Sequence, residues 1–189
     1  MFKKACFALG MILLVGSAVW MALRPAGTDG NPGERVIAYV NQEPIEVREF
    51  ALFLDRAKAN VFSYFHRKYG AEDSPSFWTS NFAGEVPLEL AKRAAMEELA
   101  AVKVQQLMAR EYGVLEDIGY GAFLENLSRE NERRKQAARN GQAIYGPLQY
   151  DESGYYRYVY SNAVIELKKV WSEREVFLRR MNGGGAMKN

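Results

Sequence analysis

At 189 residues the chain has room for one ordinary domain plus appendages. It carries 25 Lys and Arg against 23 Asp and Glu, and Lys3 and Lys4 account for the whole excess. The formally neutral remainder gives no bulk electrostatic basis for binding nucleic acid or an anionic membrane surface, and a single cysteine, Cys6, excludes an intramolecular disulfide.

Residues 5–23 are uncharged and follow the Lys3-Lys4 pair. Nineteen such residues match the length of a membrane-spanning helix, and the preceding lysines favour an N-inside orientation. Trp20 stands where an interfacial aromatic would. The competing reading is a cleavable signal peptide with Gly16-Ser17-Ala18 as its small-residue site. Cleavage after Ala22 would place bulky Trp20 where a small residue is needed, so an uncleaved anchor over 1–24 is expected. Residues 25–33, PAGTDGNPG, read as a linker. A folded domain is expected over 34–181 and a disordered tail over 182–189.

The domain opens with VIAYVNQEPIEVREF, residues 36–50. Val36 to Val40 has strand composition, Asn41 to Pro44 reads as a turn, and Ile45 begins a short return strand. A helix then runs over 47–69, with Phe50, Phe53, Leu54, Ala57, Val61, Phe65 and Tyr69 on one face and Gly70 as its stop. This hairpin leading into a long helix resembles the opening of the SurA_N-type chaperone domain of extracytoplasmic foldases such as SurA and PrsA. Val40, Asn41, Ile45 and Phe50 match that family's pattern. Gln42 stands in place of its usual glycine and Glu46 in place of its usual Ser or Thr, which deprives the turn of an easy positive φ and the helix of a strong N-cap.

Residues 72–86 are irregular but carry Phe77, Trp78 and Phe82, which are too apolar for an idle loop. The second helix is predicted from Pro87 to Arg110, with a stripe of Ala91, Ala95, Leu99, Val102 and Gln106, and stops at Gly113. Ala109, Gly113, Val114 and Asp117 also resemble the end of that family's second helix. A third helix is predicted over 120–139 and a fourth from Asp151 or Ser153 to Met181, its apolar side running from Tyr156 and Tyr160 through Ala163, Leu167, Val170 and Trp171 to Phe177 and Met181. The expected fold class is therefore mainly α: an N-terminal transmembrane helix, a short β-hairpin and about four helices arranged as in a SurA N-domain.

Little in the sequence carries covalent chemistry. His66 is the only histidine, so neither a histidine-rich metal site nor a Ser-His-Asp triad can be built. Adjacent carboxylates such as Glu97-Glu98, Glu116-Asp117 and Asp151-Glu152 point apart on a helix and read as solvated or helix-start charges. The basic run Arg129, Arg133, Arg134, Lys135 and Arg139 is interleaved with Glu125, Glu130 and Glu132, and reads as a solvated face with local ion pairs. No catalytic residue, cofactor or metal is expected. The resemblance implies a client-contacting module, and only eight residues remain after Met181, too few for a following parvulin isomerase domain.

The surplus feature is aromatic. Phe77, Trp78 and Phe82, with Tyr150, Tyr155 and Tyr158, are the candidate client-binding residues, since exposed rings give large contact area at low entropic cost. The functional expectation is a membrane-anchored extracytoplasmic chaperone-like module that binds unfolded or exported polypeptides and no nucleic acid. The alternatives are a structural adaptor for a fixed envelope partner and a prolyl isomerase with an unrecognised site. The last helix is expected to cover the hairpin through Leu167, Val170 and Trp171.

Overall fold

The structure is a computed structural model that describes residues 31–183, with side chains placed through residue 176. The expected anchor, most of the linker and residues 184–189 lie outside the described residues, as do the side chains of Phe177 and Met181. Among the described residues no helix is long and apolar enough to cross a membrane.

After one 3₁₀ turn, Pro32–Glu34, strand β1 (Val36–Val40) pairs antiparallel with β2 (Glu43–Glu46). The turn is shorter than the sequence suggested. Only Asn41 and Gln42 make it, both at positive φ (48° and 71°). Pro44 therefore belongs to β2, opposite Tyr39, where an outer strand tolerates the missing N–H. β2 passes directly into helix α1, Val47–Tyr69. Glu46 makes no side-chain cap bond. The Val47 N–H instead donates to the Arg35 carbonyl at 2.8 Å, so the hairpin itself satisfies one of the helix's free donors. Gly70, at φ 63°, ends α1: its N–H donates to the His66 carbonyl and the Ala71 N–H to the Phe65 carbonyl.

Helix α2 spans Pro87–Glu111, α3 Tyr120–Arg139 and α4 Glu152–Gly183. The chain is thus mainly helical with one hairpin, in the element order expected. α1 and α2 form the principal packed pair, and α4 packs on α2 and α3. Phe53, Ala57, Val61 and Phe65 of α1 share the core with Ala91, Ala95 and Leu99 of α2. The alanines at 91 and 95 keep that seam narrow, because interaxial distance follows side-chain size. Tyr120 and Phe123 of α3 and Tyr155, Tyr156 and Tyr160 of α4 complete the core.

The hairpin does not take the expected cover from the end of α4. It packs on α2 and the start of α1, with Ile45 fully buried and Arg110 of α2 paired to Glu43 at 2.5 Å. Trp171 stands 42 % exposed and meets Tyr112 edge to face at 5.9 Å. The reason is reach: Arg110, near the end of α2, lies beside the hairpin, whereas α4 packs on α2 and α3.

Candidate functional site

The most chemically loaded place in the molecule is closed. Glu49 of α1 and Lys103 of α2 form an ion pair at 3.0 Å with both side chains 1 % exposed. Tyr156 of α4 donates to the same Glu49 oxygen at 2.9 Å and accepts from the Gln106 amide at 2.8 Å. Lys103 also reaches the Ile118 carbonyl at 3.4 Å. Glu49 Oε2 and Gln106 Oε1 are left without a hydrogen-bond partner. Burial pushes the Glu49 carboxyl above its ordinary value, with the Lys103 charge and its hydrogen bond pulling the other way. Burial raises Tyr156 as well, reinforced by the Glu49 charge. The arrangement has the ingredients of acid–base chemistry but no path for a substrate, so it works as a three-helix tie.

Sequence periodicity contained the signal for this tie. Glu49 precedes Phe53 by four residues and Lys103 follows Leu99 by four, so each occupies the apolar stripe of its own helix. Reading the stripe by position, instead of by hydrophobicity, would have shown two opposite charges facing the core.

A second tie joins α1, α3 and α4 at the surface. Arg48 grips the Glu152 carboxylate with Nε and Nη2, the latter at 2.6 Å, and Tyr120 donates to the same carboxylate. Glu152 therefore does more than charge a helix start. A third cluster sits at the far end of α1. A tight turn at Ala83-Gly84 joins Phe82 and Glu85 by two backbone bonds. Glu85 then accepts from Tyr64, Lys68 and Tyr69, and those donors, Tyr69 and Lys68 foremost, hold its carboxyl down at about 2. His66 is exposed, and its Nδ1 lies 2.9 Å from the Ala71 carbonyl, so that nitrogen carries the proton. Among the described residues no group of three or more His, Cys, Asp and Glu is placed to hold a metal ion.

The six aromatic candidates divide into two groups with no ring contact between them among the described residues. Phe77 is 1 % exposed and packs edge-on to Phe62 and Phe65. It is a core residue with no area left for a partner. Phe82 and Trp78 are half-buried against the same cluster. In the other group, Tyr150 lies 5.4 Å from both Tyr155 and Tyr158, stacking on the latter. Tyr155 is 9 % exposed and Tyr158 49 %.

Beside Tyr155 the surface opens into a cleft of about 70 Å³. Leu115, Phe123, Val159 and Tyr160 form its apolar walls, while exposed Asp117 and Asn126 stand at its rim. The segment between α2 and α3 supplies Leu115 because Gly113, at φ 72°, turns the chain back after α2. Sequence reading named Tyr155 as a candidate contact residue but did not name Leu115, Phe123 or Val159, each of which looks like ordinary core in one dimension. No family model, curated protein or solved structure matches this chain.

Proposed function

We propose that this chain is a polypeptide-binding, chaperone-like module, held at a membrane by residues 5–23 with its folded domain on the extracytoplasmic side. The observation that carries the reading is the cleft walled by Leu115, Phe123, Tyr155, Val159 and Tyr160 and edged by the polar Asp117 and Asn126. About 70 Å³ is far below the roughly 300–1,000 Å³ of a small-molecule pocket, and suits one apolar side chain of an extended polypeptide. The half-exposed Tyr158 and the Tyr150 ring next to it extend the contact area along α4. Binding of this kind rests on apolar burial and aromatic contact, which tolerate varied sequences. The Glu49–Lys103 pair is sealed in the core, each side chain 1 % exposed, and so takes no part in that contact surface. The SurA_N-like opening of the domain and the uncharged N-terminal run agree with this assignment.

The test is aggregation of a chemically unfolded protein in the presence of the full chain. Val159→Arg would block the cleft from a half-buried position. The wild type is expected to suppress aggregation of several unrelated proteins, and the variant, verified as folded by circular dichroism, to lose most of that effect. A folded variant with undiminished suppression would sink the cleft as the client site.

A further inference from the structure

We propose that the exposed side of the hairpin, Val36, Ile37 and Tyr39 of β1, rests in the headgroup layer of the lipid bilayer and sets how the domain stands on it. This placement depends on the anchoring proposed above for residues 5–23. Strand alternation turns every second residue of β1 to the core, and Ala38 and Val40 do pack there. Val36 and Ile37 break the alternation: they are 44 % and 40 % exposed in succession, and Tyr39 is 42 % exposed. The cause is a bulge. Val36 pairs with Glu46 and Ala38 with Ile45, so Ile37 is the extra residue in β1. Tyr39 stands opposite Pro44, which keeps that cross-strand pair apolar as well.

What covers these side chains follows from where the chain enters the fold. Asn31, the first described residue, comes eight residues after Leu23, the last of the uncharged run. At full extension that distance is at most about 29 Å. The Pro32–Glu34 turn packs on α1 and leads straight into β1, so the hairpin is the first regular element to follow the anchor. A surface tethered at this range acts at high effective concentration, and tyrosine is enriched at the membrane–water interface. Strand addition by a second copy or an extended peptide needs a regular free edge, which the bulge at Ile37 disrupts. Charge does not draw lipid phosphate here. Exposed Glu34 adjoins Arg35, and Arg48 and Arg110 are each held by a carboxylate. The contact is therefore apolar and independent of anionic lipid. No hairpin residue lines the client cleft, which stays open when the hairpin is seated.

The experiment uses the full chain, with Cys6→Ser, in phosphatidylcholine vesicles with and without phosphatidylglycerol. Val36→Cys, Ile37→Cys and Tyr39→Cys each carry a fluorophore, and Ser128→Cys, at an exposed position of α3, is the control. Lipids with a nitroxide headgroup are expected to quench the hairpin labels at least about threefold more than the control, with either lipid mixture. Each position is read in a variant shown to be folded by circular dichroism, and any one of the three decides. Hairpin labels quenched no more than the control, in chain that floats with the vesicles, would overturn the contact and leave the anchor standing. Chain that does not float would sink the anchor and this placement together. Quenching that needs phosphatidylglycerol would make the contact electrostatic, and a dimer crosslinked through position 37 without lipid quenching would make the occupant a second copy. Either result overturns the proposal. Suppression of aggregation by Tyr39→Ser should match the wild type, which separates this contact from the client cleft.

Discussion

Gln42 holds φ at 71° in a two-residue turn, a conformation that costs a residue with a Cβ about 1–2 kcal/mol. Asn41 before it, at φ 48°, is the residue type that tolerates this best. Asn-Gly is the favoured pair for such turns because both positions need positive φ. Gln42→Gly should therefore stabilise the protein. The relief is offset by about 0.5–1 kcal/mol of extra chain entropy lost on folding, leaving a net gain of about 0.5 kcal/mol. Urea unfolding should show a higher midpoint with an unchanged slope. An unchanged or lower midpoint would mean that the hairpin turn is not strained at this residue.

Among the elements, the hairpin is the one that could not stand alone. Two strands are marginal in water without a surface to cover them, and β1 leaves Val36, Ile37 and Tyr39 each at least 40 % exposed. The side chain that fastens it is Ile45, fully buried in the core that α1 and α2 share. Ile45→Ala should cost about 2–5 kcal/mol, the range for emptying a closed apolar site. Arg110→Ala, which removes only the partly exposed pair to Glu43, should cost about 1 kcal/mol or less. Thermal unfolding of the two variants checks the ranking. Similar losses would place the hairpin's attachment in the ion pair instead of the core.

On the scale of the whole molecule, Glu49, Lys103, Tyr156 and Gln106 join three helices through one polar knot. Removing Lys103 alone strands a buried carboxylate, so Lys103→Met should cost about 3–5 kcal/mol. Replacing both charges, Glu49→Leu with Lys103→Met, should recover most of that loss, since a packed apolar pair avoids desolvating either ion. Titration gives a second reading. The folded-state pKa of Glu49 is raised, so the folded chain takes up this proton more readily than the unfolded one. Its contribution to stability is complete below about pH 4.5, the ordinary value, and is lost as pH rises through the folded pKa. The stability difference between wild type and Glu49→Gln should accordingly shrink or reverse as pH increases above 4.5. A difference independent of pH would show that Glu49 does not titrate differently in the fold.

Periodicity and punctuation in the sequence determined the helices. The spacing of Phe53, Ala57, Val61 and Phe65 marked α1, Gly70 its end and Pro87 the start of α2, because these signals act within a turn or two of the chain. The aromatic surplus was also legible, but not its direction. Phe77 and Tyr158 are equally apolar in one dimension, yet one is core and the other half exposed. Only the packing of α1, α2 and α4 decided that Glu49 and Lys103 meet in the interior. Likewise, only the return of the chain after Gly113 brought Leu115 over Phe123 and Val159 to make a cleft. Local spacing fixes which residues share a helix face. What that face meets depends on contacts between residues tens of positions apart, which no local pattern encodes.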